Sequence, residues 1–228
     1  MKKAILVFCS IALSGLFLIL AVNRFKSYDR VVSVRGLCER EVKADVAIYP
    51  ISFSEGGDNL IELNKLIQKE NQIIVDFLKE NGFDDNDITV SVPSINDHRN
   101  DSYRSAKQPD FTMNSVVTIY TKKVDSVLAL QNKLTSLIEK GIAISTGDGW
   151  SNPVTYNFAA LNSIKPEMIE EANKSAYDAA AQFAKDSKSR VGKIKDASQG
   201  LFSIEDRDAN TPYIKNVRVV NYVTYYLR

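Results

Sequence analysis

Residues 31–53 read VVSVRGLCEREVKADVAIYPISF, two runs of alternating apolar and polar residues around the turn Lys43-Ala44-Asp45. Alternation with a period of two is typical of strands that bury one face. We therefore predict an antiparallel hairpin with strands at Val31–Val42 and Val46–Phe53. Because Pro50 has no N–H to donate, the second strand is expected to lie at a sheet edge or to carry a bulge.

A long amphipathic helix is predicted directly after the hairpin. Gly56 and Gly57 end the strand, and either Asp58 or Asn59 suits the N-cap position. Helical spacing then places these apolar residues on one stripe: Leu60, Leu63, Ile67, Ile74 and Leu78. Gly82 is expected to end the helix in the left-handed conformation.

The middle of the chain continues with short strands and a second helix. Residues 88–92 alternate as a strand, and a strand at Phe111–Tyr120 follows the polar tip Asn96–Asp110. Long hairpin tips are functional or mobile. Val124–Lys140 repeats apolar residues at helical spacing, and a less regular strand region spans Ala143–Phe158.

A third helix and two closing strands complete the pattern. Pro166 is expected to open the helix, because proline fits the first helical turn. The predicted buried face is mostly alanine, with Phe183 added, so the helix can lie close to its neighbour: Ala172, Ala176, Ala179, Ala180 and Ala184. Strands are predicted at Ile194–Ile204 and Ile214–Tyr226. The last is apolar on both faces, which predicts that helices or a partner subunit cover both.

This order of elements predicts an α+β fold, with three helices packed on antiparallel sheet. The phrases FLKENGF at 77–83 and LIEKGI at 137–142 are similar, so two loosely related halves are one interpretation.

The N-terminus carries a segment that predicts export. Lys2 and Lys3 precede an uncharged run at residues 4–22, and a helix of that length spans about 28 Å of a bilayer core of about 30 Å. We interpret residues 1–24 as an uncleaved signal anchor that crosses the bacterial inner membrane once, residues 25–30 as a linker and residues 31–228 as a periplasmic domain. The alternative is a cleaved signal and a soluble periplasmic protein.

Composition excludes several classes of function. The formal net charge is +1, or −1 without Lys2 and Lys3, and no basic stripe offers nucleic acid a site. One histidine, His98, and one cysteine outside the apolar run, Cys38, cannot supply a closed zinc site. We therefore predict no metal and no cofactor.

The order of these features resembles the SIMPL-domain family of bacterial envelope proteins over about residues 31–227. The residues that carry it are Val34-x-Gly36-x-x-Glu39, Asp45-x-Ala47, Asp87-Ile88, the phrase at 161–169, Val191-Gly192-Lys193-Ile194 and Val217-x-Val219. Cys38 and Ala44 depart from the family, where many members have glycine and proline. The resemblance implies a membrane-attached or periplasmic α+β domain suspected of self-assembly, and it carries over no catalytic residues.

The candidate catalytic groups have simpler structural explanations. Cys38 and His98 are the only nucleophile and base that the exported part offers, but Cys38 falls on an apolar strand face and His98 on the tip. The acidic run at 84–87 lacks the ligand spacing of a calcium loop and suits a helix exit. We therefore predict no catalytic residues.

Aromatic residues are the remaining candidates for ligand or subunit contact. The only tryptophan, Trp150, stands between Gly149 and the sequence Ser151-Asn152-Pro153. Tyrosines are also frequent in the last predicted strand, at positions 222, 225 and 226. Because aromatic residues are enriched at interfaces, the candidate contact residues are Trp150, Asn152, Tyr222 and Tyr225.

Three functions follow as hypotheses. The first is a non-enzymatic, membrane-tethered envelope protein that acts by self-assembly or protein contacts, with a role in envelope or stress homeostasis implied by the family resemblance. Its partners would be the bilayer through residues 4–22 and either its own copies or another envelope protein. The second is a periplasmic carrier of a small ligand near Trp150, and the third is a hydrolase or redox enzyme using Cys38 or His98.

Overall fold

The computed structural model describes residues 13–22, 30–102, 105, 107–145 and 153–228. Among these ranges, no helix is both long enough and apolar enough to cross a bilayer. The elements in chain order are α1 (residues 13–22), β1 (Val31–Lys43), β2 (Val46–Gly57), α2 (Leu60–Glu80), a 3₁₀ turn (Asp85–Asp87), β3 (Ile88–Val90), β4 (Ser94–Asp97), β5 (Phe111–Thr121), α3 (Val124–Gln131), α4 (Thr135–Glu139), β6 (Ile144–Ser145), β7 (Thr155–Asn157), α5 (Leu161–Asp186), β8 (Val191–Gln199), β9 (Ser203–Asp206) and β10 (Ile214–Leu227).

The predicted α+β class with antiparallel sheets is confirmed, and the chain folds into two compact units. Unit 1 combines Met1–Glu41, Leu161–Glu205 and Asn216–Arg228, and unit 2 combines Val42–Ala160 with Asp206–Lys215. Each unit has its own sheet and its own hydrophobic cluster. The predicted hairpin of residues 31–53 is therefore wrong, because β1 pairs within the first sheet and β2 within the second. At the turn between them, the N–H groups of Ala44 and Asp45 bond to Tyr213 and Asn157, and not to the neighbouring strand.

Unit 1 is built on a sheet in which β10 lies between β1 on one side and β8 and β9 on the other. β10 pairs with β8 in antiparallel register, with Val223 opposite Ala197. Against β1, Leu227 N–H bonds to Arg30 C=O at one end while Arg218 contacts Glu39 at the other, so this pair also runs antiparallel. The predicted single strand at 194–204 is two strands, β8 and β9, separated at Gly200.

The alanine face of α5 lies directly on this sheet. Four of the predicted alanines are fully or almost fully buried, as the spacing predicts: Ala172, Ala176, Ala180 and Ala184. A Cβ added to Gly36 of β1 would stand 1.8 Å from the carbonyl oxygen of Ala172, so only glycine allows this approach. The placement of Phe183 on the buried face is wrong, because its position on the helix turns it to solvent.

Helix α5 begins earlier than Pro166 predicts. It starts at Leu161, which leaves Pro166 inside the helix. Pro166 has no N–H to bond to the carbonyl of Asn162, and its ring crowds that same carbonyl, so both effects fall on the first turn of the helix. The helix therefore tolerates Pro166 near its start, although proline is not its first residue.

Unit 2 is built on a sheet of order β3-β5-β2-β6, in which β4 also pairs with β5 and β7 with β2. The expectation that Pro50 marks an edge strand is wrong, because β2 lies inside the sheet. On its other side from β5, β2 pairs with β7 through residues 46–48 and with β6 through residues 52–53. Pro50 falls between these two short strands, where no N–H is needed.

Helix α2 covers the inner face of this sheet with Leu63, Ile67, Ile74 and Leu78 of the predicted stripe, whereas Leu60 at its start is 39% exposed. Asn59 is the N-cap, since its Oδ1 accepts hydrogen bonds from the N–H groups of Ile61 and Glu62 at 3.0 and 3.3 Å. Gly82 ends the helix with a φ of +89°, as predicted. The core beneath it joins helix and strand side chains, including Ile67, Ile74, Leu78, Val117 and Ile119.

The predicted second helix is two short helices, α3 and α4. Between them Lys133, Ser136 and Leu137 donate backbone bonds to carbonyls three residues back, which forms a tight turn. The apolar face survives the break, because Leu130, Leu134 and Leu137 are all buried.

The similar phrases at 77–83 and 137–142 describe the same way of ending a helix. Gly82 and Gly141 both have positive φ, and the residues after them, Phe83 and Ile142, donate to the carbonyls of Leu78 and Leu137 and are buried. Both phrases lie in unit 2, so their similarity reflects the same type of C-cap and not two related halves of the chain.

Two polar side chains of α2 lie within the core of unit 2. Asn71 accepts a hydrogen bond from Ser115 Oγ at 2.9 Å. Glu70 is 7% exposed, and its Oε2 has no hydrogen-bond partner among the described residues. Burial, with a smaller contribution from the negative charge of Glu55, raises the pKa of Glu70 to about 7.

We expect Glu70 to make the stability of the protein fall as the pH rises from about 4.5 to about 7. The unfolded carboxyl loses its proton near 4.5, whereas the folded one holds it until about 7, so deprotonation disfavours the folded state in this window. Glu70→Gln should remove this slope and raise the free energy of unfolding at pH 8 by about 2 kcal/mol. Urea unfolding at pH 5 and pH 8 measures the effect.

The matched control is Glu80→Gln, an exposed glutamate at the end of the same helix. It should leave the difference between the two pH values unchanged. An equal response of both variants would show that the slope does not come from Glu70.

Candidate functional site

The sheet of unit 1 has two unlike faces. On the face toward α5, the side chains of Val217, Val219 and Val223 in β10 are all buried. The opposite face is accessible, with Arg218 and Tyr222 exposed and Val220 half-buried. We expected both faces of β10 to be covered. Among the described residues, only the face toward α5 is covered.

The accessible face is organised by cross-strand pairs of β1 and β10. Ser33 Oγ and Thr224 Oγ1 are 2.9 Å apart, and the Arg35 guanidinium carbon lies 5.2 Å from the centre of the Tyr222 ring. Further along, Arg218 Nε is 3.1 Å from Glu39 Oε1. Such pairs hold neighbouring side chains in fixed positions on a strand surface.

These strands and the segment before β9 enclose a shallow groove of about 430 Å³. We call it the contact surface, and it is lined by Arg35, Leu37, Leu201, Ser203, Arg218, Val220 and Tyr222. Large apolar groups are unusually open here: Leu37 is 42% exposed, Tyr222 46% and Leu201 95%. Clustered apolar exposure of this kind marks sites of interaction.

The charges of the contact surface favour an acidic ligand. Arg218 is paired with Glu39, whereas Arg35 lies over the aromatic face of Tyr222. Stacking on an aromatic ring leaves the edge of a guanidinium able to donate hydrogen bonds to a carboxylate. The surface therefore offers one positioned cation beside apolar side chains.

Cys38 lies on the opposite face and is buried against α5, as predicted. Its Sγ donates to Glu171 Oε2 at 2.9 Å, and Arg40 bonds to Glu171 and Glu167 at 2.6 and 2.8 Å. Burial, followed by the hydrogen bond to Glu171, raises the pKa of the Cys38 thiol to about 11. At neutral pH the group is a thiol, which is a poor nucleophile.

His98 belongs to unit 2 and is more enclosed than a solvated tip residue. Its Nδ1 is 2.8 Å from Asp101 Oδ2, and its Nε2 is 3.1 Å from Thr112 Oγ1. These contacts anchor the base of the tip. Cys38 and His98 therefore each have structural partners of their own.

The acidic run at 84–87 follows the exit of α2, as predicted, and its last three residues form a 3₁₀ turn before β3. Lys123 Nζ contacts Asp84 at 2.7 Å and Asp87 at 3.4 Å, and Lys79 Nζ contacts Asp85 at 2.6 Å. The carboxylates are thus held by lysines of the same unit.

The four predicted contact residues have different outcomes. Tyr222 lines the contact surface, whereas Tyr225 lies on the buried face and packs edge-on against Tyr177, with ring centres 6.0 Å apart. Trp150 and Asn152 lie outside the described residues.

Sequence reasoning missed Arg35, Leu37, Leu201 and Arg218. One signal was present, because Leu37 is an apolar residue on the strand face that otherwise carries Arg35 and Glu39. The other signal, the pairing of β1 with β10, joins the two ends of the domain and cannot be read from local pattern.

A second groove, of about 370 Å³, lies in unit 2. It adjoins Pro153, and all of its lining residues are uncharged, among them Tyr49 of β2, Leu134 between α3 and α4, and Ile138 of α4. This is the place that the small-ligand hypothesis would use.

Comparison with known proteins identifies the family. No curated protein matches the chain. The SIMPL family, described as a protein of unknown function (DUF541), matches residues 32–221. This range begins one residue into β1, includes α5 and β8, and reaches Asn221 in β10. Since the match spans most of the sequence, the chain belongs to the SIMPL family.

Proposed function

We propose that this SIMPL protein is a non-enzymatic, membrane-tethered protein of the bacterial envelope that acts by binding another envelope protein through its contact surface. The observation that carries the proposal is the open groove in which Arg35 is stacked on Tyr222 beside exposed Leu37 and Leu201. A role in maintaining the envelope under stress follows as part of the same proposal.

The composition of the contact surface supports a protein partner. Tyrosine and arginine are the residue types that most often carry binding energy at interfaces, and leucines around them exclude water. Rigid cross-strand pairs reduce the entropy lost when such side chains are held by a partner. The partner chemistry that fits is a segment with a carboxylate for Arg35 and apolar side chains for Leu37 and Leu201.

The tether is proposed from the N-terminal sequence. Lys2 and Lys3 before the apolar run at residues 4–22 favour an N-terminus on the cytoplasmic side, which leaves residues 31–228 in the periplasm. Residues 13–22 of this run form α1, and residues 4–12 lie outside the described ranges.

The chemistry of Cys38 supports a function without catalysis. Its raised pKa keeps it protonated, and the two oxygens of Glu171 are engaged by Cys38 and Arg40. These groups stabilise the packing of α5 on the sheet. The groove in unit 2 supports the small-ligand alternative less well, because it offers no charged group to orient a ligand.

We expect the double variant Arg35→Ser, Tyr222→Ser to weaken the partner complex at least about 30-fold, because it removes both groups that are typical of interface hot spots. The full chain should migrate as a complex when membranes are extracted in mild detergent and sized. The variant should migrate at the size of the purified chain alone.

The matched control is Phe183→Ser, which removes an exposed aromatic residue from α5 in the same unit. It should leave the complex intact. A complex that survives the double variant, or that Phe183→Ser also releases, would contradict the assignment of the contact surface.

A further inference from the structure

The outer face of the unit 2 sheet has no charged side chain along its two central strands. Burial alternates along β2 and β5, so their outward positions are well defined. Their central outward residues are Ile48, Pro50 and Ser52 on β2 and Val116, Thr118 and Tyr120 on β5. We call these six residues the neutral face, and each of them is half-buried or exposed.

The strands on either side of β2 and β5 also present uncharged residues on this face. Thr155 of β7 is opposite Ile48, Ser145 of β6 is opposite Ser52, and Thr89 of β3 is opposite Thr118. Toward the tip, Asn114 of β5 is opposite both Ser54 and Ser94. Every position is apolar or carries a hydroxyl or an amide.

This neutrality is not a consequence of composition. Charged residues make up 25% of the chain, and the accessible face of the unit 1 sheet carries Arg35, Glu39 and Arg218. A solvent-facing sheet surface is normally kept soluble and separate by charge. A face that lacks charge can approach another uncharged surface without burying an unpaired ion.

From this we infer that the neutral face is a self-association surface, on which a second copy of this chain packs sheet against sheet about a two-fold axis. Serine, threonine and tyrosine hydroxyls both donate and accept hydrogen bonds, so the face can satisfy the polar groups of its own copy. A two-fold contact brings the same patch together from both subunits, and an uncharged patch avoids the like-charge repulsion that this arrangement otherwise produces.

The dimensions of the face fit such a contact. About nine residues of strand and four strand widths give a projection of about 30 by 19 Å, or roughly 600 Å², and a pleated surface exceeds its projection. A standard interface buries about 800 Å² per partner. The short side chains of Ser52 and Thr118 suit the spacing of about 10 Å between packed sheets.

This inference uses a different surface from the proposed function, so the two can fail separately. The purified full chain in mild detergent, analysed by sedimentation velocity from about 1 to 100 µM, should pass from monomer to dimer, as expected for an interface at the small end of the standard class. The Arg35→Ser, Tyr222→Ser variant should dimerise like the wild type.

We expect Thr118→Lys to weaken the dimer at least about 100-fold, because it brings two like charges into one interface that has no opposite charge to pair with them. Thr118→Val keeps the size without charge and should preserve the dimer. Thr224→Lys places the same charge on the accessible face of unit 1 and should also preserve it. Tyr120→Lys, at a more exposed position of the neutral face, provides a second test if Thr118→Lys fails to fold.

Mixing Thr118→Lys with Thr118→Glu should restore dimers, since the interface then holds one charge of each sign. A wild-type chain that stays monomeric at 100 µM, an equal loss with Thr118→Lys and Thr224→Lys, or mixed variants that remain monomeric would overturn the inference.

Discussion

Gly36→Ala is expected to destabilise unit 1 by about 3 kcal/mol or more, the upper range for overpacking a close contact. The added methyl would lie 1.8 Å from the carbonyl oxygen of Ala172 and 2.7 Å from the backbone nitrogen of Ala176. Both are backbone atoms of α5, so no side-chain rotation relieves the clash and the helix must move off the sheet. Urea unfolding of the full chain followed by circular dichroism measures the loss.

Gly57→Ala is the matched control for this substitution. Gly57 ends β2, and a Cβ there would meet Leu63 at 3.7 Å, which is an ordinary van der Waals contact. Its stability should change by less than about 1 kcal/mol. Equal losses in the two variants would show that the packing of α5 on Gly36 is looser than described.

Ile74→Ala should cost about 3–4 kcal/mol, within the range for truncating a buried isoleucine. Ile74 is fully buried in the cluster that joins α2 to the sheet of unit 2. Its truncation leaves a cavity that the helix, capped by Asn59 at one end and held through Phe83 at the other, cannot collapse to fill. The same urea titration measures this loss.

Ile61→Ala on the same helix tests whether burial is the cause. Ile61 is 69% exposed, so its truncation should change the free energy of unfolding by no more than about 0.5 kcal/mol. Comparable effects at the two positions would argue against the assigned helix face.

Local sequence pattern correctly predicted those features that depend only on neighbouring residues, such as a buried helix face or a helix end. The alanine repeat predicted the buried face of α5, while Asp58-Asn59 and Gly82 marked the two ends of α2, with the choice between Asp58 and Asn59 left open. In each case the physical cause lies within a few residues of the position predicted. Such features can be read from sequence alone.

Pattern was insufficient where the answer depends on distant strands. Pro50 suits an edge strand by its own chemistry, yet it lies inside the sheet because β6 and β7 leave a gap beside it. The break between α3 and α4 was missed for another reason, since Leu130, Leu134 and Leu137 keep one apolar face through the turn.

The candidate site was predicted only in part for the same reason. Tyr222 was predicted because aromatic residues are enriched at interfaces, but its partner Arg35 lies at the other end of the domain. Only the antiparallel pairing of β1 with β10 places Leu37 beside Val220 and creates the groove. The charge-free character of the neutral face and of the strands beside it likewise emerges only when six strands, β2 to β7, are aligned.

Site-specific photo-cross-linking is the most direct test of the claim that the contact surface binds another protein. A photoreactive phenylalanine analogue is placed at Leu37 in the full chain, in growing cells, and the same analogue at Phe183 serves as the control. We predict one adduct of defined mass from Leu37, lost when Arg35→Ser and Tyr222→Ser are added, and none from Phe183. Equal labelling at the two positions, or an adduct that survives the two substitutions, would contradict it.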